Sequence, residues 1–594
     1  MTDFPKFTVG IDLGTTNTVV SYFETDAEFP QIKLLSIEQT VGAGVVEERE
    51  QLPSFLYQPL AQEHEENPSS LAWESGAWVG GVYARDRGAE VPNRFVASAK
   101  SWLCQSGVDR KEAFLPFGSE DDVEKISPFE ATCQYLRHVS GNWRSKMACL
   151  LSDQAVIITV PASFDEQARK LTEEAAKSLG LENLTILEEP LAALYSWVSY
   201  QGDAWRNEVE EGDVILVCDV GGGTSDFSLI TVTNDAGNLG LKRTAVGEHI
   251  LLGGDNMDLA LAYQAKAKME EKKKLTSWQL RGLWYQARKI KEDILSGKTS
   301  NATFTVLGTG IKKLIGGTLK AEFTFDEINT TLTEGFFPTC SIEDQPQEAV
   351  RSGIKEIGLP YASDAAVTRH LARFISRNAG KDDFKWPTKI LFNGGVFNCE
   401  AMRNRVTTVI NSWLTAKGQD SLMPLNYSSL DHSVALGASY YGWSRLGKGI
   451  RIRAGIPRSY YIEVESSIPA IPGFSAPKKA CCIAPFGMEE GTDMALEGET
   501  FALRTGEPVQ FTFLASNLRQ EDESGMVIED WDEDEMEEAQ KMEITLDPEP
   551  GLKSPIPVKL GARVTEVGTL ELYFKNSTSG KRWSLEYQVR ELES

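Results

Sequence analysis

Two runs of apolar residues, far apart in the chain, follow one pattern. Val9-Gly10-Ile11-Asp12-Leu13 leads into Gly14-Thr15-Thr16-Asn17 and returns through Val19-Val20-Ser21-Tyr22. Leu216-Val217-Cys218-Asp219-Val220 leads into Gly221-Gly222-Gly223-Thr224 and returns through Phe227-Ser228-Leu229-Ile230. A β-type run that ends near an Asp and turns back over glycines and hydroxyls predicts a β-hairpin in each case. Residues 33–57 read as further strands, and 128–139 as a helix. Residues 155–160 form a continuous apolar run of the buried-strand type, ended by Pro161. The helical period then appears at Ala168, Leu171, Ala175 and Leu179, with Asp165 as N-cap and Gly180 as stop. A strand over 184–187 and a helix over 191–198 continue the alternation of an α/β layer architecture. Residues 256–298 and 350–379 read as helix-rich, the second helical pattern of the former resuming near Ser277. Residues 390–392 read as a strand running into Asn393-Gly394-Gly395, and Asp431 as the N-cap of a helix with small residues at Ala435, Gly437 and Ala438. Beyond about residue 445 the period changes to two, over 460–465, 509–514, 542–546, 569–574 and 583–589. That spacing, broken by Gly, Pro and Asn, predicts a β-sandwich-like C-terminal domain.

Composition bounds the function. With 594 residues, 41% apolar and 25% charged, the chain has the make-up of a soluble protein of several domains. A net charge of −26 argues against nonspecific binding of nucleic acid and against docking to an anionic membrane. Eleven acids and two bases between Arg519 and Lys541 put −9 of that charge in one segment, which reads as a mobile solvated loop. Eight cysteines are scattered without a CxxC, so neither a disulfide framework nor a zinc site is expected, and a reducing compartment is. No basic n-region with an apolar core opens the chain, and no 18-residue apolar stretch occurs, so a cytoplasmic protein is expected.

The hairpin turns carry candidate chemistry. Glycine lets successive backbone N–H groups close on an anion, and Thr hydroxyls add donors. An Asp at the strand end suits a hydrated divalent cation beside phosphates. One such turn is a weak sign, because most are only turns. Two copies, 207 residues apart in matching strand context, predict two half-domains that pinch the phosphate tail of a nucleotide between them.

The succession Ile11-Asp12-Leu13-Gly14-Thr15-Thr16-Asn17, Val160-Pro161-Ala162, Glu189-Pro190-Leu191-Ala192-Ala193, Asp219 through Asp226, Leu252-Gly253-Gly254-Asp255, Asn393-Gly394-Gly395 and Asp431 to Ala438 resembles the heat-shock-70 (DnaK-type) chaperones of the actin/hexokinase ATPase superfamily. The resemblance spans about 7–445 and is looser beyond. It implies an α/β fold: a duplicated actin-like (ribonuclease H-like) ATPase domain in two lobes over 1–445, an interdomain linker over 446–456, and a β-sandwich-like substrate-binding domain over 457–594 without a helical lid. The residues from Gly568 to Phe574, with Ser579-Gly580-Lys581, resemble that domain's closing hairpin. The cofactors implied are ATP/ADP and Mg²⁺, with Asp12 and Asp219 holding the metal through water. Gly14, Thr15, Thr16 and Asn17, with Gly222, Gly223 and Thr224, would cradle the phosphates. Lys100 aligns with the family's catalytic lysine, Glu189 would orient the attacking water and the metal shell, and Asp226 or Thr224 would assist proton transfer alongside Asp219. Gly253, Gly254, Lys289, Glu292, Ser296, Gly394, Gly395, Asn398 and Asp431 would complete the nucleotide site. Pro161 and Arg169 align with the family's interdomain switch. Taken alone, Lys100 and Arg169 read equally well as exposed helix charges, and Glu189 as a helix N-terminal carboxylate.

The sequence also departs from the family. Asn398 stands where the adenine clamp carries an Arg, the basic residues near Lys289 are shifted, and Thr185 stands where an Arg contacts J-domain co-chaperones. The linker reads Ile450-Arg451-Ile452-Arg453 in place of a run of leucines. The leading expectation is an ATP-dependent chaperone of unfolded or extended polypeptides, with J-domain and nucleotide-exchange partners. A small-molecule kinase of the same superfamily and a nucleotide-sensing scaffold are the alternatives. His432 reads as an ordinary first-turn residue, and Trp143, Trp197, Trp205 and Trp284 as packing residues.

Overall fold

The computed structural model describes residues 5–27, 31–66, 71–74, 77–105, 107–119, 123–235, 238–248, 250–270, 274–307, 318–347, 359, 361–379, 384–427, 429–446, 456, 458–465, 478–486, 488, 492–496, 500–516, 519, 521–529, 531, 535–549, 554–565 and 569–588. Two compact units divide the chain at 452/453. Of the expected linker, Leu446 and Ile456 are described, whereas Ile450 to Arg453 lie outside the described residues.

In the first unit, β1 (Phe7–Leu13) and β2 (Asn17–Glu24) pair antiparallel, with Leu13 opposite Thr18. β3 (Lys33–Leu34) extends the sheet beyond β2, while β4 (Ala155–Val160) lies parallel to β1 and β5 (Leu184–Glu188) parallel to β4. The second sheet repeats this plan. β6 (Val214–Val220) and β7 (Ser225–Asp235) form the hairpin, with Val220 opposite Ser225, and β8 (Asn238–Val246) pairs with β7. On the other side, β9 (Lys389–Asn393) runs parallel to β6, and β10 (Met423–Pro424) parallel to β9. Both sheets therefore have one strand order: third, second and first hairpin strands, then two parallel strands. The central strands are covered on both faces, which is why they read as continuous apolar runs rather than as alternation.

The helices begin where local chemistry satisfies their first N–H groups. α1 (Ala99–Leu103) is a short turn. α2 (Pro128–Met147) starts with Ser127 accepting from the Glu130 N–H, and runs eight residues past the expected end at 139 because Asn142 and Trp143 prolong its buried stripe. α3 (Glu166–Lys177) is capped by Asp165, which accepts from Ala168. α4 (Glu189–Gln201) follows β5 directly, with Pro190 in its first turn. α5 (Gly254–Glu270) and α6 (Ser277–Leu295) follow β8, and α6 opens with a Thr276/Gln279 capping box. A helix over 367–379 lies within the stretch expected to be helical, and 350–358 lies outside the described residues.

α7 (Ser433–Arg445) corrects one expectation. Asp431 is not its N-cap: His432 takes that position without a side-chain cap, and the Asp431 carboxylate accepts from the Asn398 amide at 2.8 Å.

α4 and α7 tie the two sheets together. α4 packs on strands of both sheets, and α7 returns to pack on α4, β1, β2 and β4. The contact is close because side chains are missing from it. A Cβ on Gly437 would stand 1.7 Å from the Ala192 carbonyl oxygen, and one on Gly10 would stand 2.6 Å from that of Ala435. Gly10 N–H donates to the Ser439 hydroxyl at 3.1 Å, and the Ser21 hydroxyl donates to the Ala435 carbonyl at 2.7 Å.

The second unit is a pair of antiparallel sheets. Ser459–Glu465 lies between Lys478–Ala484 and Pro508–Ser516, with Val527–Ile528 and Glu537–Thr545 outermost. The other sheet comprises Asp493–Ala495, Phe501–Leu503, Ile556–Val564, Thr569–Asn576 and Arg582–Gln588. Tyr460, Ile462, Ile483 and Phe513 of the first share a core with Val558, Leu560, Leu572 and Leu585 of the second, which makes a sandwich. Five of these strands have no counterpart in the expected set, and two of the five are long. Lys478–Ala484 is short of bulky residues, and Ile556–Val564 contains Pro557 and Gly561, whose missing side chain is covered by the Tyr573 ring.

The acidic segment is not wholly a solvated loop. Asp522 accepts from the Tyr461 hydroxyl at 2.8 Å and from Arg519 at 2.7 Å, Glu529 pairs with Lys479, and Glu535 with Arg519. Trp531 and Met536 pack with Tyr461, Cys482, Leu514 and Ile528 on that side of the sheet. Asp530 and Asp532 to Asp534 lie outside the described residues. All eight cysteines are free thiols. Among the described residues no helix is long and apolar enough to cross a membrane.

The packing of α7 on α4 predicts opposite outcomes for two glycines. Gly437→Ala should destabilise the folded chain by about 1–3 kcal/mol through overpacking. Gly282→Ala, within α6 with nothing inside 4 Å of the new Cβ, should stabilise it by about 0.5–1 kcal/mol. Urea unfolding measures both, and equal effects would contradict the close approach.

Candidate functional site

Each hairpin leaves a four-residue loop, 14–17 and 221–224. The two loops face each other. A Cβ on Gly222 would lie 2.0 Å from the Thr16 hydroxyl oxygen, and one on Gly223 would lie 2.9 Å from the Thr15 methyl and 3.0 Å from the Ser101 hydroxyl. No side chain fits at either position. Gly14 allows its own loop to close, since a Cβ there would meet the Asn17 carbonyl at 2.4 Å. The second loop is braced from behind: Gly254 N–H donates to the Gly221 carbonyl at 3.0 Å, and Asp255 N–H to that of Gly222 at 2.8 Å. Gly253 lies so near these carbonyls that a Cβ would come within 2.7 Å of both. Gly394, at φ +86°, passes against Asp219 and the Val220 carbonyl, where a Cβ would stand at 2.6 and 2.3 Å.

Charged groups collect behind the loops. Asp12 and Asp219 occupy matching positions on β1 and β6. The Thr159 hydroxyl donates to Asp12 at 3.3 Å, and the Asn393 amide donates to Asp219 at 2.7 Å while accepting from the Ser433 hydroxyl. Lys100, on α1, pairs at 2.5 Å with Glu189, the first residue of α4. Both side chains are largely buried, so Lys100 is not an exposed helix lysine. Asp226 lies opposite Asp219 in the hairpin and accepts from the hydroxyls of Ser163 and Thr224. Arg169 is buried as well: it donates to the Ala162 and Phe164 carbonyls and pairs with Glu188 at 2.9 Å, which rules out a solvated charge.

Burial and crowding shift the acids in one direction. Burial, then Glu189, pushes the Asp12 carboxyl up to about 7 against the pull of Lys100 and the Thr159 hydroxyl. Burial, then Glu189, raises Asp219 well above the usual carboxylate range despite its Asn393 hydrogen bond. Asp226 is raised by burial, with Ser163 and Thr224 opposing. Burial depresses the Lys100 ammonium, but Glu189 and Asp12 outweigh it and the net shift is upward. Several crowded carboxylates around one lysine suit a divalent cation, which would relieve the excess negative charge. Among the described residues no three His, Cys, Asp or Glu side chains are grouped to ligate a metal directly.

The remaining expected residues divide. Gly394, Gly395, Asn398 and Asp431 come together at the end of the second sheet, with a Cβ on Gly395 at 3.9 Å from the Asp431 carboxylate. Lys289 and Glu292 lie exposed on α6, one turn apart. Ser296 closes that helix by donating to the Asp293 carbonyl. The basic residues that reach the brace of the second loop are their neighbours. Arg288 pairs with Asp255 and Asp258, and Lys291 donates to the Gly254 carbonyl at 2.9 Å and pairs with Asp258 at 2.7 Å. Sequence reasoning also missed Asn393, Ser433, Thr159 and Ser163 as orienting groups. Asn393 does stand beside the Gly394-Gly395 motif, but its position next to Asp219 depends on the parallel register of β9 with β6, which no local pattern reveals.

Comparison with known proteins follows the same line. The family model described as Hsp70 protein matches residues 108–340, a span that holds the second loop and Glu189. The Chaperone protein HscA homolog of Shewanella sp. (strain MR-7) is 29% identical over 353 residues, covering 56% of this chain and 48% of that protein. The Chaperone protein HscA of Edwardsiella ictaluri (strain 93-146) is 30% identical over 271 residues, 43% of this chain and 37% of that protein. A third, the Chaperone protein HscA homolog of Actinobacillus pleuropneumoniae serotype 5b (strain L20), is 30% identical over 281 residues, with 46% and 40% covered. The chain thus spans half or less of the length of the curated relatives it matches. The repeated hairpin, the Lys100–Glu189 pair and these matches make the chain similar to Hsp70-type chaperones over the matched spans.

Proposed function

We propose that this chain is an ATP-hydrolysing chaperone of the DnaK type, built on a two-lobed actin-like ATPase domain whose nucleotide state controls binding of extended polypeptide by the β-sandwich. The apposition of the loops at Gly222 and Thr16, with Lys100 and Glu189 paired behind them, carries the proposal. In this scheme the amides and hydroxyls of 14–17 and 222–224 bind the phosphates. Lys100 stabilises the charge of the γ-phosphoryl group and Glu189 orients the attacking water. The water oxygen bonds to the γ-phosphorus, the bond from that phosphorus to the β–γ bridging oxygen breaks, and ADP leaves. The water's proton passes to Asp226, directly or through the Thr224 hydroxyl. Mg²⁺, when bound with the nucleotide, would neutralise the phosphate oxygens while Asp12 and Asp219 hold its water shell.

J-domain and nucleotide-exchange co-chaperones are the partners this scheme brings. Thr185 stands at the family's J-domain arginine position, and its hydroxyl accepts a hydrogen bond from Arg445 at the end of α7, so a guanidinium is present there from another element. Buried Arg169, bridging the Pro161 turn to Glu188, suits the switch role.

Steady-state turnover of the full chain tests the proposal. Slow ATP hydrolysis should rise several-fold with an extended apolar peptide, and Lys100→Ala should lower kcat by about 100-fold or more. Turnover untouched by Lys100→Ala would remove the assigned chemistry, and turnover indifferent to peptide would remove the coupling.

The shift of Asp12 gives a second test. Its folded-state value near 7 lies above the unfolded 3.8, so the native state binds the proton more tightly and loses stability as pH rises between the two. Asp12→Asn removes that loss. Without divalent cations the variant should be more stable than wild type by about 1–3 kcal/mol at pH 8, and the gap should close as pH falls towards 4. A pH-independent difference in urea unfolding would contradict it.

A further inference from the structure

Ser98 has a backbone conformation that its residue type does not favour. At φ +57°, ψ +30° it lies in the left-handed region, one of only two such non-glycine residues among those described. For a side chain other than glycine, that conformation is strained. It precedes α1, yet makes no side-chain cap to that helix. Its buried hydroxyl instead donates to Asp255 Oδ2 at 2.9 Å. Ser98 belongs to the first lobe, two residues before Lys100, and Asp255 opens α5 of the second lobe.

Asp255 joins three parts of the site. Its N–H holds the Gly222 carbonyl of the second loop, and its other carboxylate oxygen pairs with Arg288 of α6. Its carbonyl accepts from the Trp284 indole N–H at 3.1 Å. Other contacts also cross the same cleft mouth. The Arg288 guanidinium lies 4.9 Å from the Phe55 ring centroid, and Phe95 meets Tyr285 edge-on at 4.8 Å. Those contacts are apolar or diffuse, whereas the Ser98 hydroxyl ties the Lys100 segment by a directed bond to the group that braces the second loop.

We propose that Ser98 is a positioning residue: its hydrogen bond to Asp255 across the cleft sets the place of Lys100, so that lobe closure around the phosphates brings the ammonium into register. The inference rests on the ATPase activity proposed above. Strain in the backbone is retained because the left-handed turn aims the hydroxyl across the cleft, and Lys100 leaves the same turn towards Glu189.

Ser98→Gly separates this role from a structural one, because glycine adopts the left-handed turn freely and loses only the hydroxyl. The variant should unfold at the same temperature as wild type or higher. Its kcat for MgATP should fall by about 10- to 100-fold, with KM within about threefold of wild type. In the nucleotide-free protein, acylation of Lys100 by an amine-reactive ester, followed by mass spectrometry, should be several-fold faster than in wild type. Wild-type kcat and wild-type Lys100 labelling together would overturn the proposal. If wild type hydrolyses no ATP, the ATPase reading fails, and the labelling rate still decides whether Ser98 positions Lys100.

Discussion

The constraint on which the structure depends is the absence of two side chains. The Thr16 hydroxyl fills the space that a side chain at Gly222 would need, and Thr15 and Ser101 close on Gly223. Two loops from separate sheets can approach so closely only if the strands behind them end in matched positions. The shared strand order meets that need, setting Asp12 and Asp219 at equivalent ends of β1 and β6. Duplication at the level of a ten-residue motif is therefore the visible part of duplication at the level of a sheet.

Charge follows from that geometry. Bringing two strand ends together also brings together the acids they carry, and α4 adds Glu189 to them. Burial first, and crowding second, raises the carboxyl groups of Asp12, Asp219 and Asp226. Crowded carboxylates of this kind are favourable surroundings for a cation. The packing of α7 obeys a parallel rule. Gly10 and Gly437 let α7 sit against β1 and α4, so the helix that follows the second sheet is fastened to the strand that carries Asp12.

The sequence was legible where chemistry is local. Glycines, hydroxyls and strand-end acids announced both hairpins, and Asp165 capped its helix as expected. Where an assignment depended on partners distant in the chain, it was less so. Taken alone, Arg169 and Lys100 read equally well as solvated helix charges, because the acids that receive them, Glu188 and Glu189, lie on another strand and helix. Asp431 had the residue type of a cap, but the Asn398 amide claims it. The basic residues of α6 were displaced by one helical step, and only Arg288 and Lys291 face Asp258. In the sandwich, Pro557 and Gly561 hid a central strand, where the Tyr573 ring covers the space left by the glycine. The acidic run concealed Asp522, held by Tyr461 and Arg519.

The central claim, that both loops grip one phosphate chain, is tested most directly by backbone amide hydrogen exchange on the intact protein with and without MgADP and inorganic phosphate. Residues 14–17 and 221–224 should gain protection together, at the same nucleotide concentration, because one ligand spans them. Protection of one loop alone, or of neither at saturating nucleotide, would contradict a shared grip.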